Sequence, residues 1–198
     1  MREILKTYYD LEDIEKEAIN ENRNINVDDV DWFDSVFDDW QTRLEEIGFT
    51  NAKIYFSGFW NQGDGASFDA DIDNDLVVAH LVEMGRLSKT EAESILKLQD
   101  SFELKIRRNS YANHYSHKRT RYVNIEYWDM DNEEQETRVE RFAEQVELLR
   151  LELSDDIYSA LSEDYDYLTS DEMVYDTLKA NNYYFESNGK IAGIIEGV

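Results

Sequence analysis

The period of the apolar side chains changes repeatedly along this chain, and the order of those changes restricts it to a mixed fold. Trp32, Phe33, Val36, Phe37, Trp40, Leu44 and Ile47 recur at spacings of three and four, which gathers them on one face of a helix. Asp28, Asp29 and Asp31 stand at its start, where the helix dipole favours anions, and Gly48 ends it. From Ile54 to Phe59 the period falls to two, as in a strand. Asn61-Gln62-Gly63-Asp64-Gly65 supplies turn residues, and a second strand runs from Ala66 to about Asp73. Leu76 to Met84 reads as a short buried helix, and Ser88 with Glu91 opens the next one as a capping box. Residues 102–111 and 119–128 alternate again as a second hairpin. A long helix from Glu133 to about Asp164 carries Val139, Phe142, Val146, Leu149, Leu153, Ile157 and Leu161 on one stripe. Thr169 and Glu172 form a further capping box before a short helix to Asn181, and residues 183–195 make a last hairpin turning at Asn188-Gly189. No βαβ unit interrupts this order, so the chain reads as α+β: antiparallel hairpins packed against several helices, with one long C-terminal helix.

Its 198 residues suit one domain, 1–198, with no linker composition inside it. Residues 10–29 hold Asn20, Asn22, Asn24 and Asn26 but few large apolar side chains, so residues 1–29 read as a peripheral helix or arm. With 45 acidic residues against 20 basic ones, the formal charge is −25. That excess repels nucleic acid and anionic lipid and makes the folded chain repel itself, so neither is an expected direct partner. The absence of cysteine excludes disulfides, thiolate nucleophiles and zinc–thiolate sites. Met1 to Asp10 lacks the apolar core of a secretory signal, and no run approaches the roughly 18 apolar residues of a membrane span. A reducing cytoplasm is the expected compartment. Proline is absent as well, and nothing in the sequence explains that.

Four segments are candidates for function. Gly58, Gly63 and Gly65, flanked by aromatics, let backbone amides approach a ligand or another strand, which makes Gln62, Gly63, Asp64, Gly65 and Ser67 candidate ligand contacts. A tight hairpin packed on the Trp32 helix accounts for the same residues. Next, Asp69, Asp71 and Asp73 share one face of an extended strand, about 7 Å between neighbours, and repel unless solvated or bridged by a divalent cation. An EF-hand does not fit, because its glycine position holds Asn74 and its bidentate position His80. An Asp-x-Asp metal pair of the nucleotidyltransferase kind stands against Ser57-Gly58 in reversed order, and a solvated strand edge is the plainer account. No other cofactor is predicted.

The third segment runs from Lys105 to Tyr122 without an acidic residue. Lys105, Arg107, Arg108, Lys118, Arg119 and Arg121 lie there among Tyr111, His114, Tyr115, His117 and Tyr122. Such a hairpin suits phosphate or single strands, or else it neutralises the acidic helices of its own fold or of a second copy. The fourth is the acidic surface: Asp31, Asp34 and Asp38 on the first helix, and Glu133, Glu136, Glu140, Glu144 and Glu147 on the long one. Rows of carboxylates can stand in locally for phosphates, which DNA carries at one per roughly 1.7 Å of axis. A solvated helix face is the alternative.

Ser57-Gly58-Phe59-Trp60-Asn61-Gln62-Gly63-Asp64-Gly65-Ala66-Ser67-Phe68 resembles a motif of a widespread family of bacteriophage and prophage proteins of undetermined activity, with Asn61 in place of the usual serine. The resemblance extends to Asp31–Trp40, to Tyr165–Glu172 and to the Phe185–Lys190 hairpin. It implies a phage-encoded protein acting in the cytoplasm of a bacterial host, and it brings no catalytic residue with it.

Three readings follow. The first is an acidic binding protein that inhibits or modulates a host protein, such as a defence factor, at a basic nucleic-acid-binding surface. The second is a small-ligand site or metal-dependent enzyme on the 57–73 hairpin. The third is a charge-segregated homo-oligomer in which the basic hairpin of one copy meets an acidic helix of the next. No Ser-His-Asp set, lysine-bearing phosphate loop or paired metal histidines is present, so the sequence assigns no catalytic residue.

Overall fold

A computed structural model describes residues 8–28, 31–110 and 116–194. Of the residues singled out above, Asp29, Tyr111, His114 and Tyr115 lie outside that set, as do the first residues of the chain and residue 195. In chain order the elements are α1 (Glu15–Glu21), α2 (Asp34–Ile47), β1 (Phe49–Phe56), β2 (Ala66–Ile72), α3 (Asn74–Glu83), α4 (Lys89–Leu96), β3 (Phe102–Arg108), β4 (Arg121–Tyr127), α5 (Glu133–Leu168), α6 (Asp171–Ala180), β5 (Tyr183–Phe185) and β6 (Ile191–Ile194). Helices interleave with antiparallel sheets, so the fold is α+β. The described residues gather into two compact units. One comes from Ser35–Ala160, the other from Met1–Asp34 with Leu161–Val198. Their borders fall at the first turn of α2 and within α5, where no change of composition marks them.

The Ser35–Ala160 unit is built on a four-stranded antiparallel sheet in the order β1-β2-β3-β4. Ile54 faces Phe68 across β1 and β2, and Ala70 faces Ile106 across β2 and β3. These four, with Phe102 and Leu104, are buried on one face of the sheet. Trp40 and Leu44 of α2, Val77 and Leu81 of α3, Ile95 of α4 and the α5 stripe from Val139 to Ile157 are buried with them. Phe102 meets Phe142 of α5 edge-to-face at 6.3 Å, and Phe37 of α2 meets Phe56 at 6.1 Å. Each fully buried leucine, isoleucine, valine or phenylalanine among them contributes roughly 1.5–3 kcal/mol. The other face is polar: Lys53 opposes Asp69, and Asp71 opposes Lys105.

Strand β1 begins five residues earlier than its alternation indicates. Asn51 takes φ +53° and the register shifts between Thr50 and Lys53, so a bulge hides the period of the first half. At the far end of the hairpin, the Asp69–Asp73 row does not stay on one strand face. The strand stops at Ile72, and the Asp73 carboxylate accepts the Leu76 N–H at 3.1 Å as the N-cap of α3.

In the other unit, Leu11, Ala18, Ile19, Val174, Leu178 and Phe185 form a buried cluster, so Leu11, Ala18 and Ile19 of the N-terminal stretch pack into a core. The asparagines of that stretch are cross-links. Asn22 Nδ2 donates to the carbonyls of Ala18 at 2.8 Å and Gly189 at 2.9 Å. Asn26 donates to the Leu168 carbonyl at 2.9 Å and accepts from the Thr177 hydroxyl at 2.8 Å. Gly189 takes φ +85°, and a Cβ there would stand 2.2 Å from the Glu17 carbonyl oxygen, so the β5–β6 turn admits no side chain at that position. The last helix takes its N-cap one residue later than expected, and with Met173 at the third helical position the cap is not a box. Helix α5 runs on to Leu168, so the Thr169 hydroxyl donates back to the Tyr165 carbonyl, and Ser170 accepts the Met173 N–H.

Candidate functional site

Spacings of three and four along α5 put Glu133, Glu136, Glu140 and Glu144 on one ridge, and all four are exposed. A rise of 1.5 Å per residue sets neighbours about 4.5–6 Å apart along the axis, against about 3.4 Å per phosphate of one DNA strand. Among the described residues no cation pairs with these four. Glu147, expected on the same face, is turned inward. It receives Nε and Nη2 of Arg150 and, on Oε2, the backbone N–H of Val123 at 3.0 Å. Arg150 is fully buried, and its Nη1 reaches the Lys118 carbonyl at 2.8 Å. Nothing in the sequence marks Arg150 except that it follows Leu149 on the apolar side of the helix. Asp31, Asp34 and Asp38 are exposed around the start of α2, as expected of acidic residues there.

Strand β4 lies beside this ridge at one edge of the sheet. Tyr127 carries the ridge's field: burial, then Glu140 and Glu136, push its phenol above the ordinary tyrosine value. Trp128 next to it is largely exposed, and its indole N–H is held by the Asp100 carbonyl at 2.6 Å. Between β4 and α5 runs an open groove of about 690 Å³ lined by Tyr122, Val123, Ile125, Ala143, Leu148 and glutamates.

The glycine-rich hairpin is largely accounted for by its own packing. Gln62 and Gly63 are exposed at its tip, and Asp64 Oδ2 pins the turn by accepting the Asn61 N–H at 2.7 Å. Gly65 is buried under His117, whose ring would stand 2.9 Å from a Cβ. Ser57 exchanges hydrogen bonds with the backbone of Ser116, and Phe59 stacks on Tyr158. Two atoms stand out: among the described residues, Asp64 Oδ1 and the hydroxyl of fully buried Ser67 have no hydrogen-bond partner. His117 is lowered from the ordinary histidine value by burial first and then by Lys118 and Arg119, with Asp155 opposing.

The acidic strand and the basic segment neutralise each other. Arg121, nearly buried, donates to Asp69 at 2.6 Å and lies over the Tyr55 ring at 4.7 Å. Arg107 pairs with Asp71 at 3.2 Å, Lys105 with Glu103 at 2.6 Å, and Lys118 with Asp155. For Asp71, hydrogen bonds from Asn51 and Arg107 and the charges of Arg107 and Lys105 outweigh desolvation, the largest single contribution, and hold the carboxyl below its usual range. Arg119 is exposed beside these pairs, as is Arg108, which also has a partner. With Asp73 capping α3, the three aspartates do not converge. Among the described residues no group of three or more histidines and carboxylates is placed to hold a metal ion, and no helix is long and apolar enough to cross a membrane.

No curated protein and no solved structure matches the chain. Residues 32–171 match a family described as a domain of unknown function, DUF8835. That span takes in the whole four-stranded sheet, α3, α4, the acidic ridge and the groove beside it. The chain therefore belongs to the DUF8835 family.

Proposed function

We propose that this protein is a phage-encoded acidic binding protein that modulates a bacterial host protein by docking Glu133, Glu136, Glu140 and Glu144 on a basic, nucleic-acid-binding surface. The observation that carries the reading is the ridge itself. Glu136 and Glu140, like Glu140 and Glu144, are like charges four apart on a helix, which costs a few tenths of a kcal/mol per pair. Among the described residues no cation forms an ion pair with these four glutamates, whereas Lys105, Arg107, Lys118 and Arg121 are taken up in ion pairs. A basic partner would relieve that cost. The resemblance of the Ser57–Phe68 motif to phage proteins supports the setting.

The test is capture of host proteins from nuclease-treated bacterial lysate on the tagged chain, at low and at high salt. The wild type is expected to retain a nucleic-acid-binding protein that leaves at high salt. The variant with Glu133, Glu136, Glu140 and Glu144 all changed to Lys is expected to retain none of it. Undiminished capture by that variant refutes the reading.

The partnerless oxygens of Asp64 and Ser67 favour a second reading, a small-ligand site on the 57–73 hairpin. A folded Asp64→Ala variant that keeps the protein's effect in the host removes it.

A further inference from the structure

We propose that the outer edge of β4 is a strand-addition site for an extended, lysine- or arginine-bearing segment of a protein partner. Seven consecutive pairs join β3 to β4, from Phe102–Tyr127 to Arg108–Arg121, without a bulge. The Trp128 N–H donates to the Ser101 carbonyl and the Asn109 N–H to the Thr120 carbonyl. By the same two-residue alternation, Tyr122, Asn124 and Glu126 turn their backbone groups to β3, and Val123, Ile125 and Tyr127 turn theirs outward. Among the described residues, the outward groups of Ile125 and Tyr127 have no partner. An unpaired regular edge of this kind is a template for another strand. The opposite edge, β1, is broken by the bulge at Asn51.

The groove defines the occupant. Its floor is apolar, formed by Val123, Ile125, Ala143 and Leu148, and its wall carries Glu140 and Glu144. Alternate side chains of an added strand point to opposite faces, so apolar residues on one face would fill the floor while flanking lysines or arginines reach the carboxylates. A second copy of this chain suits the edge poorly. Pairing β4 with β4 brings two glutamate walls together between chains of charge −25 each. The inference rests on the reading that the partner is a basic protein, and it specifies how such a partner engages.

The probe is a synthetic eight-residue peptide of alternating Lys and Val, used with the ¹⁵N-labelled full chain. Its control is the same sequence with every amide N-methylated, which keeps charge and side chains and removes the N–H donors. The unmethylated peptide is expected to slow amide exchange at Ile125 and Tyr127 by about tenfold or more, and the control is not. Leu148→Lys, at a side chain 49% exposed, is expected to keep the fold and weaken the peptide by about tenfold. Equal binding of both peptides, or no binding at low salt, overturns strand addition and leaves the acidic-ridge reading intact. Edge protection by the peptide, with undiminished capture from lysate by the four-lysine variant, upholds this inference and refutes the ridge reading.

Discussion

Arg150 donates through Nε to Glu147 at 2.8 Å from a fully buried position, and the same carboxylate accepts the N–H of Val123 from the edge strand. One acidic side chain thus ties the helix core to the sheet. Removing the cation leaves Glu147 without its charge partner and the Lys118 carbonyl without its donor. Arg150→Ala is therefore expected to lower unfolding free energy by about 3 kcal/mol or more, read from urea denaturation at neutral pH. A loss below about 1 kcal/mol, the worth of one neutral hydrogen bond, would show that the pair holds nothing together.

Helix α6 starts one residue later than the capping pattern of the sequence indicates. Ser170 accepts the Met173 N–H, and Thr169 bonds back into α5. Ser170→Ala is expected to cost about 1 kcal/mol, and Thr169→Ala less than about half that. Amide exchange at Val174 and Leu178, both buried in the same unit, distinguishes the two variants, and the reverse order would contradict the assignment.

The ridge of like charges makes stability depend on salt. At a formal charge of −25, raising NaCl from 10 to 150 mM shortens the screening length from about 30 to about 8 Å. The thermal midpoint is expected to rise across that interval. In the four-lysine ridge variant the rise is expected to be smaller, because the self-repulsion being screened is smaller. A midpoint that ignores salt in both proteins would show that the carboxylates are too well solvated to matter.

His117 gives a pH dependence of definite sign. Burial and the neighbouring cations lower its pKa in the fold below 6.5, so between the two values the unfolded chain binds more protons. The stability linked to this group is complete above about pH 6.5 and falls as pH drops through the folded value. An NMR titration of the His117 ring in the native protein is expected to show a midpoint below 6.5; a midpoint above it would reverse the sign.

Where apolar period and turn chemistry act together, the sequence is a faithful guide. The α2 stripe, the Ser88–Glu91 capping box, both sheet hairpins and the long α5 are all present with boundaries near those expected. Misreadings arose where one side chain overrides the local pattern. Asn51 at positive φ conceals the start of β1, and Asp73 leaves the strand to cap a helix. Asn22 and Asn26 look like loop residues because their composition is polar, yet their amides bond carbonyls more than 140 positions away, a relationship that no local window contains. The acidic ridge was legible except at Glu147, whose inward turn depends on Arg150, a charged residue in the apolar stripe. The groove was not legible, since it exists only once β4 lies beside α5.

Glu147 also sets a limit on anything laid along β4. Its carboxylate already occupies the Val123 N–H, so an incoming strand finds that rung closed and must take its hydrogen bonds from Ile125 onward. A partner is thereby read in one frame rather than sliding by two residues, and the side chain that anchors the core doubles as the end-stop of the docking edge.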